Sequence, residues 1–287
     1  MIDAPTDAAA RFAEFVAPAR ARAEPWRLAL GLAAVAATWL TVTLLLAALL
    51  AGAGPRIAIL AYLTGFAGMI LGLELALRLL HRRSLRSVVG PGGFRPREFL
   101  LGVAVVAAVS GLAELAALLA VRPSQAQPLA TWAVWVPFVL GALFVQVTAE
   151  ELVFRGYLQQ QLAARFARRA VWWGLPAVMF GALHWQPGYG ANAWLLAATA
   201  AVTGLVYGDV TTRLGNLSAS IGLHFANNAF AALILPPPGP LGAFGLLASA
   251  GATPGTTAIR DALALNIAVT LLVWGVWRAG LAWRARA

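Results

Sequence analysis

The chain has 287 residues, of which 61% are hydrophobic and only 11% charged, against about 25% charged residues in a typical soluble domain. This composition excludes an ordinary water-soluble globule and describes a helical bundle in lipid. The formal net charge of +10 rests on 21 basic residues, every one an arginine, and the absence of cysteine excludes disulfides and thiol catalysis.

Residues 1–25 mix acids, arginines and prolines without an apolar core, so they predict a cytoplasmic segment and no cleavable signal peptide. Runs of roughly 20 apolar residues with few charges then predict membrane helices near 28–52, 57–80, 99–121, 131–154, 171–186, 192–209, 216–236 and 258–280. These eight leave no room for a separate soluble domain. Residues 1–287 therefore read as one integral-membrane domain, all-α and polytopic, with a core over about 131–236 that carries the motifs described below. The stretches "VVGPGGFRPREF" (88–99) and "LPPPGPLGAFG" (235–245) read as loops on opposite sides, the second able to hold a re-entrant or interfacial piece.

A basic chain could bind nucleic acid, so the placement of the arginines decides. One set of alternate loops carries Arg11, Arg20, Arg22, Arg27, Arg82, Arg83, Arg86, Arg95, Arg97, Arg165, Arg168, Arg169, Arg213, Arg278, Arg284 and Arg286, whereas the other carries only Arg56, Arg122 and Arg260. Sixteen against three is the positive-inside pattern of an even number of spans with both ends cytoplasmic. Nucleic acid is an unneeded partner; the lipid bilayer is the expected one.

Polar residues in hydrocarbon are costly and mark function. Glu74 and Arg78 are four apart on one helix face and read as a structural pair. Glu114 stands alone as a helix contact, Asp209 sits at a predicted helix end where water or a cap satisfies it, and His81, beside Arg82 and Arg83, reads as a solvated residue.

The remaining polar positions converge. In "TAEELVFRGYL", Glu151 and Arg155 are i and i+4, about 40° apart around the helix, and can pair. Glu150 is rotated by about 100° and shares its face with Phe154, so it is the carboxylate without a partner on its own helix. If this helix continues to a turn near 168–170, Glu150 lies about 27 Å before the turn and His184 of "MFGALHW" about 21 Å after it, at nearly one level. "HFANNAF" adds His224 and Asn228 at i and i+4, with Asn227 beside them. A carboxylate, two imidazoles and an amide on three helices suffice for water activation and oxyanion stabilisation.

At these residues the chain resembles the CAAX prenyl protease and bacteriocin-processing (CPBP, or Abi) family of intramembrane proteases. The match consists of E-E-x-x-x-R at Glu150, Glu151 and Arg155, F-x-x-x-H at Phe180 and His184, and H-x-x-x-N at His224 and Asn228, in family order. The resemblance implies an intramembrane peptidase in which Glu150 is the general base, His184 assists it, and His224 with Asn228 stabilises the oxyanion. Glu151, Arg155 and Phe180 would support the site. It implies a membrane-associated peptide or protein as substrate: a prenylated C-terminal motif, a leader-bearing precursor or a C-terminal sorting tail. An all-arginine basic set and alanine-rich helices suggest a GC-rich bacterium, which favours the last two and a location in the inner membrane.

Other intramembrane proteases fail on their motifs, since H-E-x-x-H, G-x-S-G and a pair of intramembrane aspartates are all missing. Two alternatives stand beside the enzyme: a non-proteolytic family member acting as a binding or bacteriocin-immunity protein, and a proton-coupled transporter, which would usually show repeated halves. No cofactor is expected. If the enzyme is instead metal-dependent, Glu150, His184 and His224 are the zinc ligands; the argument against this is that Glu151, the nearby acid able to orient an imidazole from behind, is committed to Arg155.

Overall fold

The computed structural model describes residues 5–121, 123–248 and 253–284; Asp3, Arg122 and Arg286 lie outside them. In chain order the helices are α1 (Pro5–Arg20), α2 (Pro25–Leu49), α3 (Pro55–His81), α4 (Arg86–Val89), α5 (Pro96–Val121), α6 (Leu129–Arg165), α7 (Ala170–Ala182), α8 (Ala193–Leu214), α9 (Ser218–Leu233) and α10 (Thr257–Arg284). The architecture is an all-α polytopic membrane bundle. Proline opens α2, α3 and α5, two or three residues ahead of the starts predicted from hydropathy. A proline at the first helical position loses nothing, because its missing N–H would have had no intrahelical partner there.

All eight predicted apolar helices are present, but they are unequal. Six helical stretches among the described residues are long and apolar enough to cross a membrane. The fifth and seventh predicted helices, α7 and α9, fall short of the roughly 20 residues of a full crossing. Helix α9 nevertheless runs between the two ends of the bundle, from beside Leu217, which donates to Val89 O, to Leu233, which accepts from Leu246 N.

Those ends are defined by hydrogen bonds between distant loops. At one end Arg27 Nη1 donates to Leu80 O (2.6 Å), Arg83 Nη1 to Gln160 Oε1 (2.7 Å), Arg11 Nε to Arg213 O (3.0 Å) and Leu217 N to Val89 O (3.0 Å). At the other, Arg56 Nε donates to Ala243 O (3.0 Å), Asn192 Nδ2 to Pro254 O (2.9 Å), and β1 (Ser124–Gln125) pairs antiparallel with β2 (Leu247–Ala248). The two Gly/Pro-rich loops therefore lie at opposite ends. Within the second, the short turn Pro240–Phe244 folds back and buries Phe244 against Leu63, Val139 and Leu143.

Helices approach closely where the sequence supplies small residues, as in membrane bundles generally. A Cβ on Gly68 would lie 2.6 Å from Thr38 O, on Gly102 2.6 Å from Ala219 O, and on Gly181 2.6 Å from Ala197 O. These contacts clamp α3 to α2, α5 to α9 and α7 to α8, so that α7, α8 and α9 are held around α6. The N-terminal segment forms the helix α1, which buries Phe15, Val16 and Ala19 and sets Phe12 4.8 Å from the Trp172 ring. Its apolar side is too short to register as a run and acquires meaning only when docked.

Two sequence expectations are corrected. His81 is not solvated: it is 5% exposed, with Nε2 2.7 Å from Tyr157 Oη and Nδ1 3.0 Å from Arg22 O. Tyr157 and Gln161 of α6 cover its ring, and the neighbouring Arg83 donates to Gln160 Oε1. Asp209 is not at a helix end, because α8 runs on to Leu214 and closes at Gly215 in the left-handed region. Side chains of Arg169, Arg213 and Trp274 satisfy it. Glu74 and Arg78 do pair, at 2.6 Å.

Candidate active site

Helix α6 reaches the middle of the bundle as a regular α-helix and widens into a π-helical stretch over Leu152–Leu158, directly after the two glutamates. Such widened turns are rare and concentrate at functional sites. Gly156 within it packs against the backbone of α4, where a Cβ would meet Val88 O at 2.9 Å. Every residue from Ala149 to Leu162 is buried.

Glu151 and Arg155 form the predicted pair, Arg155 Nη1 donating to Glu151 Oε1 at 2.9 Å with side chains 2% and 0% exposed. The same oxygen lies 2.8 Å from His224 Nδ1 on α9. Glu151 is thus not committed to Arg155 alone: it also orients the imidazole, and the sequence argument against zinc built on its commitment falls. Since an arginine-paired carboxylate only accepts, His224 Nδ1 carries the proton of this bond.

Glu150 approaches the opposite edge of the same ring. Its Oε2 is 3.6 Å from His224 Nε2, too long for a direct hydrogen bond, and this buried oxygen accepts no hydrogen bond among the described residues. Adjacent residues 100° apart on a helix therefore straddle one imidazole. Neighbouring rungs continue the match between these antiparallel helices: Asn228 Nδ2 donates to Gln146 Oε1 at 3.2 Å, and Asn227 Nδ2 to Asn228 Oδ1 at 3.3 Å.

His184 lies in the turn closing α7, its backbone N–H bonded to Gly181 O at 2.9 Å. Its Nδ1 is 2.8 Å from Phe180 O; a carbonyl accepts only, so Nδ1 carries the proton of this bond. Phe180 stands among the site residues. Its ring is 4.5 Å from His184, 5.9 Å edge-on to His224 and 5.1 Å edge-on to Phe154, and the Arg155 guanidinium stacks over it at 4.4 Å. The structure thus brings Glu150, Glu151, Arg155, Phe180 and His224 into contact and sets His184 across the Phe180 ring. No hydrogen bond joins His184 to either glutamate among the described residues.

Two participants escaped the sequence reading. Gln146 precedes Glu150 by four residues, and that spacing was the available signal. Tyr207 packs its buried ring 5.3 Å from His224 and 5.6 Å from the Arg155 guanidinium, and an apolar helix gives no hint of it. Beyond the site, a cavity of about 410 Å³ between α2 and α3 is lined chiefly by Ala, Gly and Leu together with Thr43 and Tyr62.

Residues 131–230 match the type II CAAX prenyl endopeptidase Rce1-like family, a segment that contains all three motifs. No curated protein and no solved structure matches the chain.

Proposed function

We propose that this chain, with its Rce1-like segment at residues 131–230, is an intramembrane endopeptidase in which Glu150 activates water against a peptide bond of a membrane-associated substrate. The observation that carries the reading is that Glu150 faces an imidazole with a buried Oε2 that accepts no hydrogen bond among the described residues, whereas Glu151, whose Oε2 is likewise unpartnered, is tied through Oε1 to Arg155 and His224. Leaving a buried carboxylate oxygen free costs stability, and a general base needs that oxygen free.

The charges support the assignment. Glu151 and Arg155 cancel, and one proton shared between Glu150 Oε2 and His224 Nε2 brings the four groups to zero net charge. With that proton on His224, Glu150 is a carboxylate ready to accept. The water oxygen attacks the carbonyl carbon and its proton passes to Glu150. The carbonyl oxygen takes negative charge against His224 Nε2–H and the Asn228 amide N–H that Gln146 does not use. Collapse breaks the C–N bond, and Glu150 returns the proton to the leaving nitrogen. His184, whose Nε2 is left open by the Nδ1 bond to Phe180 O, orients the water across the Phe180 ring.

The substrate is a leader-bearing precursor, a C-terminal sorting tail or a C-terminal prenylated motif. A trap separates these. Membrane proteins retained by the Glu150→Gln variant are compared with those retained by the wild type, and new termini are mapped in cells carrying each. New termini that appear only with the wild type, in proteins the variant retains, are expected; none would leave a non-proteolytic binding protein.

The mechanism is metal-independent. Glu151 behind His224 is nevertheless an arrangement that also serves zinc ligands. Chelation decides between them. Purified protein should keep full activity after exhaustive chelation; one equivalent of zinc that tracks with activity and restores it would overturn the metal-free route and leave Glu150, His184 and His224 as the ligands.

A further inference from the structure

Asp209 sits in the C-terminal half of α8, toward the end of the bundle where most of the arginines lie, and its side chain is only 4% exposed. Arg169 Nη2 approaches Oδ1 at 3.0 Å, Arg213 Nε approaches Oδ2 at 2.8 Å, and Arg278 Nη1 lies 3.6 Å from Oδ2. These guanidiniums come from three places in the chain, the turn before α7, the last turn of α8 and the end of α10. Their side chains are 52%, 30% and 40% exposed. One covered carboxylate thus gathers three open cations, and the node presents two positive charges outward.

Two tryptophans fix the outer arginines. The Arg169 guanidinium stacks over Trp173 at 4.4 Å and that of Arg278 over Trp274 at 5.3 Å, while Trp274 Nε1 donates to Asp209 Oδ2 at 3.0 Å. A guanidinium has five N–H donors in a rigid fork, and each of these directs at most one toward Asp209 in the contacts above. The remaining donors lie at the ends of two membrane-length helices, where tryptophan and arginine mark the depth of lipid headgroups.

We propose that this node binds the phosphate of an anionic phospholipid and thereby fastens α10 to α8 and to the turn before α7. The site requires the phosphate for its fork geometry and requires a net negative headgroup for its excess charge. A zwitterionic lipid brings its own ammonium and leaves that excess standing. Basic pockets between membrane helices recognise anionic headgroups on these grounds.

The test uses the full chain purified in a neutral detergent and titrated with phosphatidylglycerol, phosphatidylcholine or inorganic phosphate, reading the unfolding midpoint and the lipid retained in native mass spectrometry. Phosphatidylglycerol should raise the midpoint by roughly 5 °C and remain as a bound lipid, whereas the other two should do neither. The Arg169→Gln/Arg278→Gln variant keeps the Asp209–Arg213 pair and should need at least about tenfold more phosphatidylglycerol for the same shift, as expected when two charge-assisted phosphate contacts are lost. Arg278→Gln alone, which leaves two guanidiniums, should fall between. Equal stabilisation by phosphatidylcholine, reproduction of the shift by inorganic phosphate, or an unchanged response in whichever of these variants folds would each overturn the proposal.

Discussion

Glu151 and Asp209 are both covered carboxylates that gather arginine, but they sit in different surroundings and hold different balances of charge. Around Glu151 one guanidinium and one imidazole meet a single oxygen in a pocket closed to solvent. Around Asp209 three guanidiniums converge while remaining partly open. Deep in the bundle an uncompensated charge is strongly destabilising, so the Glu151 node has to be balanced by its own neighbours. At the end of the bundle, water and headgroups can take up an excess, so the Asp209 node can afford one. The inner node is built for a fixed geometry and the outer one for a partner.

Substitution inside "EELVFR" should give the largest effects. Glu150→Gln keeps size and polarity and removes only the base, so turnover should vanish while the unfolding midpoint stays close to wild type. Glu151→Gln keeps an oxygen able to accept but removes the negative charge that neutralises Arg155 and holds His224, and a broken buried pair costs about 3–5 kcal/mol; activity and thermal stability should fall together. If Glu150→Gln unfolds the protein and Glu151→Gln merely silences it, the two roles are reversed.

A smaller loss is expected at the outer node. Asp209→Asn keeps the shape but leaves three guanidiniums without a counter-charge, and losing charge-assisted hydrogen bonds of this kind costs about 1.5–3 kcal/mol. Denaturation in detergent should register it, with anionic lipid recovering part of the loss. Recovery by zwitterionic lipid to the same extent would remove the distinction between the nodes. The smallest effect belongs to the exposed pair Glu74 and Arg78. Arg78→Ala should shift stability by less than about 1 kcal/mol, since the Arg78 side chain is 64% exposed; a loss comparable to that of Glu151→Gln would mean that position in the bundle does not set the strength of these pairs.

The sequence by itself determined what depends on spacing along one helix. The apolar runs, the i, i+4 pairs Glu151–Arg155 and Glu74–Arg78, the grouping of loops at two ends and the three motifs were all readable, because a helix of known pitch fixes which of its own residues are neighbours. Tertiary structure alone decided what depends on the rotation and crossing of separate helices. That Glu151 also holds His224, that Asn228 meets Gln146, that Tyr207 packs on the imidazole, that His81 is buried under α6 and that three distant arginines share Asp209 are contacts between elements far apart in the chain. The widened turn after Glu151 belongs with them, since nothing in the local composition breaks the α-helical pattern there and the close approach of Gly156 to α4 appears only in the packed bundle.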